Sequence, residues 1–171
     1  MASTYELIAS QTLGSGGAAS ITFSGIPATF TDLVLHVSAR TSRANNGDYI
    51  LLKLNGAEAN SGRSLWGYST TVVSGTAVNN ILIVPAATAA ASTFSSVEIY
   101  VPNYTSTTSK SVTATSSAED NAASSQGNSA GVLLWSSGSA ATAAITSVTL
   151  TGRFNSFVEF SSAYLYGITK A

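Results

Sequence analysis

The feature that most constrains this chain is a short-range alternation of apolar and polar residues. Stretches of four to eight such residues recur from one end to the other, and each is stopped by glycine, proline, asparagine or serine. Successive side chains of an extended strand point to opposite faces, so each stretch has one apolar face and one wettable face. Many stretches of this kind, with no long helical periodicity, are the pattern of a sandwich or barrel.

Tyr5 to Ala9 comes first, with Tyr5, Leu7 and Ala9 expected on one face, before the turn Gly14-Ser15-Gly16-Gly17. That turn tolerates positive φ. Ile21 and Phe23 follow, then a corner at Gly25-Ile26-Pro27. Asp32 to Arg40 is the strongest strand: Leu33, Leu35 and Val37 alternate with Val34 and His36. A turn at Asn45-Asn46-Gly47-Asp48 leads into Tyr49 to Leu54, which Asn55-Gly56 ends. Next come Ile81 to Val84, and Val97, Ile99 and Val101 set against Glu98 and Tyr100. Lys110 to Ser116, Gly131 to Trp135, Ile145 to Thr151 and Ser162 to Ile168 complete the series, and Trp135 reads as core.

Asn60 to Thr76 and Glu119 to Asn128 read as loops. The alanine-rich Pro85 to Ala91 and Ser139 to Ala144 could each supply one helical turn, but neither has an amphipathic face. The expectation is all-β: one antiparallel β-sandwich domain over residues 1–171, with about nine or ten strands.

Charge narrows the function. Only 9% of the 171 residues are Asp, Glu, Lys or Arg, and the net charge is -1; a typical soluble domain has about 25%. The seven basic residues are scattered, with Arg40 and Arg43 the nearest to a pair, so no nucleic-acid-binding face is expected. A nearly neutral surface opposes association weakly, which points to a chain that meets other protein subunits. There is no cysteine, hence neither a disulfide framework nor a thiolate metal site. The apolar runs are too short to span a bilayer, and the first residues lack a secretory pattern. No membrane partner is expected, and synthesis in a cytoplasm is.

Catalysis finds little to work with. His36 is the only histidine, and Asp32 lies four residues away on the same strand. That separation is about 13 Å along the strand, so the two cannot form a local relay. Glu119-Asp120 is the only adjacent carboxylate pair and sits in a polar stretch without an apolar pocket to raise a pKa. With Asn121 it matches no recognised calcium loop. Asn103-Tyr104-Thr105 fits the short glycosylation acceptor pattern. The Gly14–Gly17 turn lacks the lysine and helix of a phosphate loop. The expectation is a non-enzyme without cofactor or metal. Trp66 and Tyr68, in a Gly/Ser-rich stretch, are the candidate partner contacts.

The two ends of the chain carry a resemblance. Tyr5-Glu6-Leu7-Ile8-Ala9, the glycine-rich turn, and Ile21-Thr22-Phe23-Ser24-Gly25-Ile26-Pro27-Ala28-Thr29-Phe30-Thr31-Asp32-Leu33-Val34-Leu35 form one part. Tyr164-Leu165-Tyr166-Gly167-Ile168 forms the other. With Asn103-Tyr104 and Ile145 to Leu150, the chain resembles small virion structural proteins of tailed bacteriophages. The resemblance implies a jelly-roll-like sandwich on the exterior of a phage particle, made in the host cytoplasm. It further implies a homo-oligomer, of the trimeric kind, bound to the major capsid protein as a decoration or cement protein. The alternative it carries is a tail fibre or spike module that binds a host-surface glycan or protein.

Overall fold

A computed structural model describes residues 4–68, 71–76, 78, 81–119 and 127–169. In chain order the strands are β1 (Tyr5–Thr12), β2 (Ser20–Ser24), β3 (Asp32–Ser38), β4 (Gly47–Leu54), β5 (Ala57–Glu58), β6 (Ser61–Tyr68) and β7 (Thr71–Thr76). They continue with β8 (Leu82–Pro85), β9 (Ser96–Val101), β10 (Lys110–Ser117), β11 (Asn128–Trp135), β12 (Ser147–Gly152) and β13 (Ser162–Ile168). The one helix among the described residues is a single turn, α1 (Ser139–Thr142).

All pairings are antiparallel, and they build two sheets. The larger has the order β1-β13-β3-β9-β10-β11-β6-β7; the smaller has β2-β12-β4-β5, with β8 also paired to β4. Four strands of the large sheet, β1-β13-β3-β9, face β2-β12-β4-β8 of the small one. That is the strand order of an eight-stranded jelly roll, a sandwich of two Greek keys. The remaining strands are insertions. The β5-β6-β7 segment leaves between β4 and β8, and β10-β11 between β9 and β12. Together β10, β11, β6 and β7 extend the large sheet by four strands.

The core follows from the alternation. Leu33, Leu35 and Val37 of β3, Val97, Ile99 and Val101 of β9, and Ala163 and Leu165 of β13 point inward and are almost wholly buried. They meet Ile21 and Phe23 of β2, Ile50, Leu52 and Leu54 of β4, and Val148 and Leu150 of β12 in one continuous cluster. Full burial of each valine, leucine, isoleucine or phenylalanine among them is worth about 1.5–3 kcal/mol. Trp135 is fully buried, and its indole N–H donates to the Ala57 carbonyl at 2.9 Å. Asn55 and Gly56, at φ 49° and 79°, make the tight turn between β4 and β5. Positive φ at both positions is what an Asn-Gly hairpin turn requires.

Three sequence expectations change. Thirteen strands form among the described residues instead of nine or ten. Most of the excess lies in Asn60 to Thr76, expected as a loop, which forms the β6–β7 hairpin. Its Ser and Gly content hid the alternation, because this outlying ribbon is only partly covered and Trp66 is the large side chain by which it packs on the core. Tyr5, Leu7 and Ala9 do not share a face: β1 has a bulge between Leu7 and Ala9, so Ala9 opposes the inward Leu165 while Leu7 opposes the outward Tyr166. Of the polar stretch Glu119 to Asn128, residues 120–126 lie outside the described residues.

Candidate interaction surface

The small sheet covers only part of the large one's inner face, and no second sheet among the described residues packs on the large sheet's outer face, although Val34 and Asp32 are buried there among their neighbours. Register places one row of outward residues across all eight strands: Leu7, Tyr166, Val34, Tyr100, Thr113, Val132, Arg63 and Thr76. The next row runs through Tyr164, His36, Glu98, Thr115, Ala130, Leu65 and Ser74. Of the ten exposed large hydrophobic side chains among the described residues, seven stand on this face. They are Tyr5, Leu7, Leu65, Val72, Val132, Leu134 and Tyr164, from 37% exposed for Leu134 to 73% for Val72.

The size of the face matters as much as its chemistry. Eight strands about 4.8 Å apart, each about six residues long with about three side chains on this face, span about 34 Å by 20 Å, or roughly 700 Å² in projection. One side of a standard protein–protein interface is about 800 Å². Charged side chains on the face are few among the described residues: Arg63, Glu98 and a largely buried Asp32. Sparse charge is one compositional mark of an interface core; the apolar side chains gather toward the two ends of the sheet, with Thr113, Thr115 and Glu98 between them.

Two regions of the face differ. At the β1 end lies an aromatic cluster. The rings of Tyr5 and Tyr166 pack edge-on at 6.3 Å between centroids, and His36 packs on Tyr166 at 5.7 Å. His36 Nδ1 lies 3.8 Å from Glu98 Oε2, with both side chains about half exposed. The Tyr100 phenol donates to Asp32 Oδ2 at 2.8 Å, and the Asn103 N–H donates to Asp32 Oδ1 at 2.7 Å. The bond to the Asp32 carboxylate, and next burial, raise the Tyr100 pKa above 10.0. At the β7 end the face dips into a shallow groove of about 680 Å³, lined by Arg63, Leu65, Thr113, Thr115, Ala130 and Val132. Short side chains on β10 and β11 form its floor, which is why it dips there.

The residues singled out from sequence are dispersed. Trp66 lies on β6, not in a loop. It is half-buried, packs against the core, and its ring occupies the space beside Gly75, where a Cβ would come within 2.8 Å of it. Tyr68 ends the same strand, and its side chain lies outside the described residues. His36 stands exposed on the outer face and Asp32 turns to Tyr100 and Asn103, so the two do not meet. Glu119 is exposed, while Asp120 and Asn121 lie outside the described residues. Tyr104 is fully buried and its hydroxyl donates to the Pro27 carbonyl, while Asn103 beside it is exposed. No group of three or more His, Cys, Asp or Glu side chains able to hold a metal occurs among the described residues.

The sequence carries one signal of this outer face. Val132-Leu133-Leu134-Trp135 has no polar alternate position. In an antiparallel strand such a run means apolar residues on both faces: Leu133 and Trp135 point into the core, Val132 and Leu134 outward. Compared with known proteins, the chain matches no family model, no curated protein and no solved structure. The jelly-roll assignment therefore stands on the strand order alone.

Proposed function

We propose that this chain is a non-enzymatic structural protein of a virus particle, a decoration protein that docks on the assembled shell of a phage head through the outer face of its eight-stranded sheet. The observation that carries the reading is that face: seven large apolar side chains, few charges, and an extent close to one side of a standard interface. The jelly-roll order and the resemblance of the chain ends to small phage virion proteins support the shell as the partner. A protein that binds the assembled lattice and not its free subunits stabilises the lattice by mass action. Many copies add individually weak contacts.

The test uses purified shells that lack this chain. Saturable binding and delayed thermal rupture of the shell are expected. Leu65→Lys combined with Val132→Lys is expected to abolish binding and leave the circular dichroism unchanged, since both side chains are exposed. Binding to bacterial cells but not to shells would overturn the reading and assign the chain to the tail, with a host-surface glycan or protein as its ligand.

A further inference from the structure

The two edges of the large sheet are built differently. At one edge β1 carries Glu6 and the bulge between Leu7 and Ala9. Charges and bulges are the devices by which sheets keep an edge from pairing with another chain. At the other edge β7 reads Thr71-Val72-Val73-Ser74-Gly75-Thr76, without charge or proline, and pairs with β6 residue for residue with no shift in register. No strand among the described residues takes its far side. Every residue of β7 except Gly75 is exposed. A regular edge of threonine and valine, whose outer row of backbone N–H and C=O groups meets no strand among the described residues, is a template for another strand.

We infer that β7 is the self-association strand of this protein: two copies pair β7 with β7, antiparallel, about a two-fold axis normal to the sheet. The occupant is a second copy because this edge is self-complementary. Directly opposed residues of antiparallel strands point to the same face. A two-fold at Val73 thus sets Val73 against its own equivalent, Val72 against Ser74 and Thr71 against Gly75. No like charges meet, and valine packs on valine. A two-fold at Ser74 would set serine on serine and Val73 on glycine, with less apolar contact. Head-to-tail pairing of β7 on β1 would meet the bulge and Glu6. A net charge of -1 leaves little long-range repulsion between copies. The pairing also joins the two outer faces, since Leu65 and Val72 stand beside the junction. The symmetry is two-fold, in place of the trimer that the resemblance implies.

The chain has no cysteine, so one introduced thiol reports on one position. With the full chain at high micromolar concentration, Val73→Cys is expected to form a disulfide-linked dimer on mild oxidation, and Ser10→Cys on β1 is not. Sedimentation equilibrium is expected to show a native dimer that Val72→Lys weakens by about tenfold or more, with unchanged circular dichroism. A native chain that remains monomeric at millimolar concentration overturns the inference. So does a thiol at position 73 that links no faster than one at position 10. These readings need no shell, so they stand or fall apart from the docking proposal.

Discussion

The Tyr100 hydroxyl and the Asp32 carboxylate, 2.8 Å apart, tie the middle of the outer face to the turn that follows β9. The same carboxylate accepts the backbone N–H of Asn103, which holds a positive φ of 45°. Asp32 is 8% exposed, so its hydrogen bonds replace most of its water. Asp32→Ala strands the Asn103 N–H and the Tyr100 hydroxyl and is expected to cost about 2–3 kcal/mol in urea unfolding. Tyr100→Phe removes one bond only and is expected to cost about 1 kcal/mol.

The same bond carries a pH dependence. Tyr100 is raised above its ordinary 10.0, chiefly because its proton is held by Asp32. A group with a raised folded pKa contributes stability that is complete below its unfolded value and is lost as pH rises through the folded one. The stability difference between the native chain and Tyr100→Phe is therefore expected to be constant up to about pH 9 and to shrink above pH ~10. A difference that stays constant to pH ~11.5 would show that the phenol does not donate this bond.

Much of this fold is legible in the alternation, and the reason is burial. Leu33, Leu35, Val37, Val97, Ile99 and Val101 lie between two sheets, so each inward position had to be apolar and each outward neighbour was free to be polar. The pattern fails where only one sheet is present. Across β6 and β7 the inner face is but partly covered, so Ser, Gly and Thr suffice there and the hairpin reads as a loop. The outer face was hidden for a further reason. Its members are single apolar residues on separate strands, and only the order β10-β11-β6-β7 brings Val132, Leu65 and Val72 together. Trp66, expected in a loop as a candidate partner contact, stands on β6 with its ring over Gly75.

That packing changes what substitution of Trp66 reports. Trp66→Ala uncovers Gly75 and removes a half-buried ring from the core's edge. It is expected to destabilise the chain by about 2 kcal/mol and to raise amide exchange in β6 and β7 ahead of the rest. Unchanged exchange in both strands, with loss of partner binding, would instead make Trp66 a contact residue.

Lys110 is an unusual core member. It is 1% exposed, and its ammonium donates to the carbonyls of Ser106 at 2.7 Å, Thr108 at 2.6 Å and Ala143 at 3.3 Å, with no carboxylate in the set. It thereby fastens the turn before β10 to the end of α1. Lys110→Met keeps the stem and strands the carbonyls, with an expected cost of about 3 kcal/mol in urea unfolding at neutral pH. Burial lowers the Lys110 pKa below 10.5, so the unfolded chain binds the proton more readily. This group's contribution to stability therefore rises with pH between the folded value and 10.5. Lys110→Met is expected to remove that rise.

Gly167 shows the tightest constraint at the chain's end. It lies on β13 with the Phe30 ring directly over it, so a Cβ at 167 would come within 2.3 Å of that ring. The ring is held over Gly167 by its packing against the core, and the Phe30 backbone N–H, which donates to the Tyr104 hydroxyl at 3.3 Å, fixes the main chain that carries it. Gly167→Ala is thus an overpacking change, expected to cost about 1–3 kcal/mol. Phe30→Ala alone costs about 2–3 kcal/mol by the cavity it leaves. The pair is expected to be less destabilised than the sum, by about 1 kcal/mol or more, since the new methyl enters the space the ring vacates. Additive costs in that double-mutant cycle would mean that glycine at 167 serves the backbone of β13 and not the ring of Phe30.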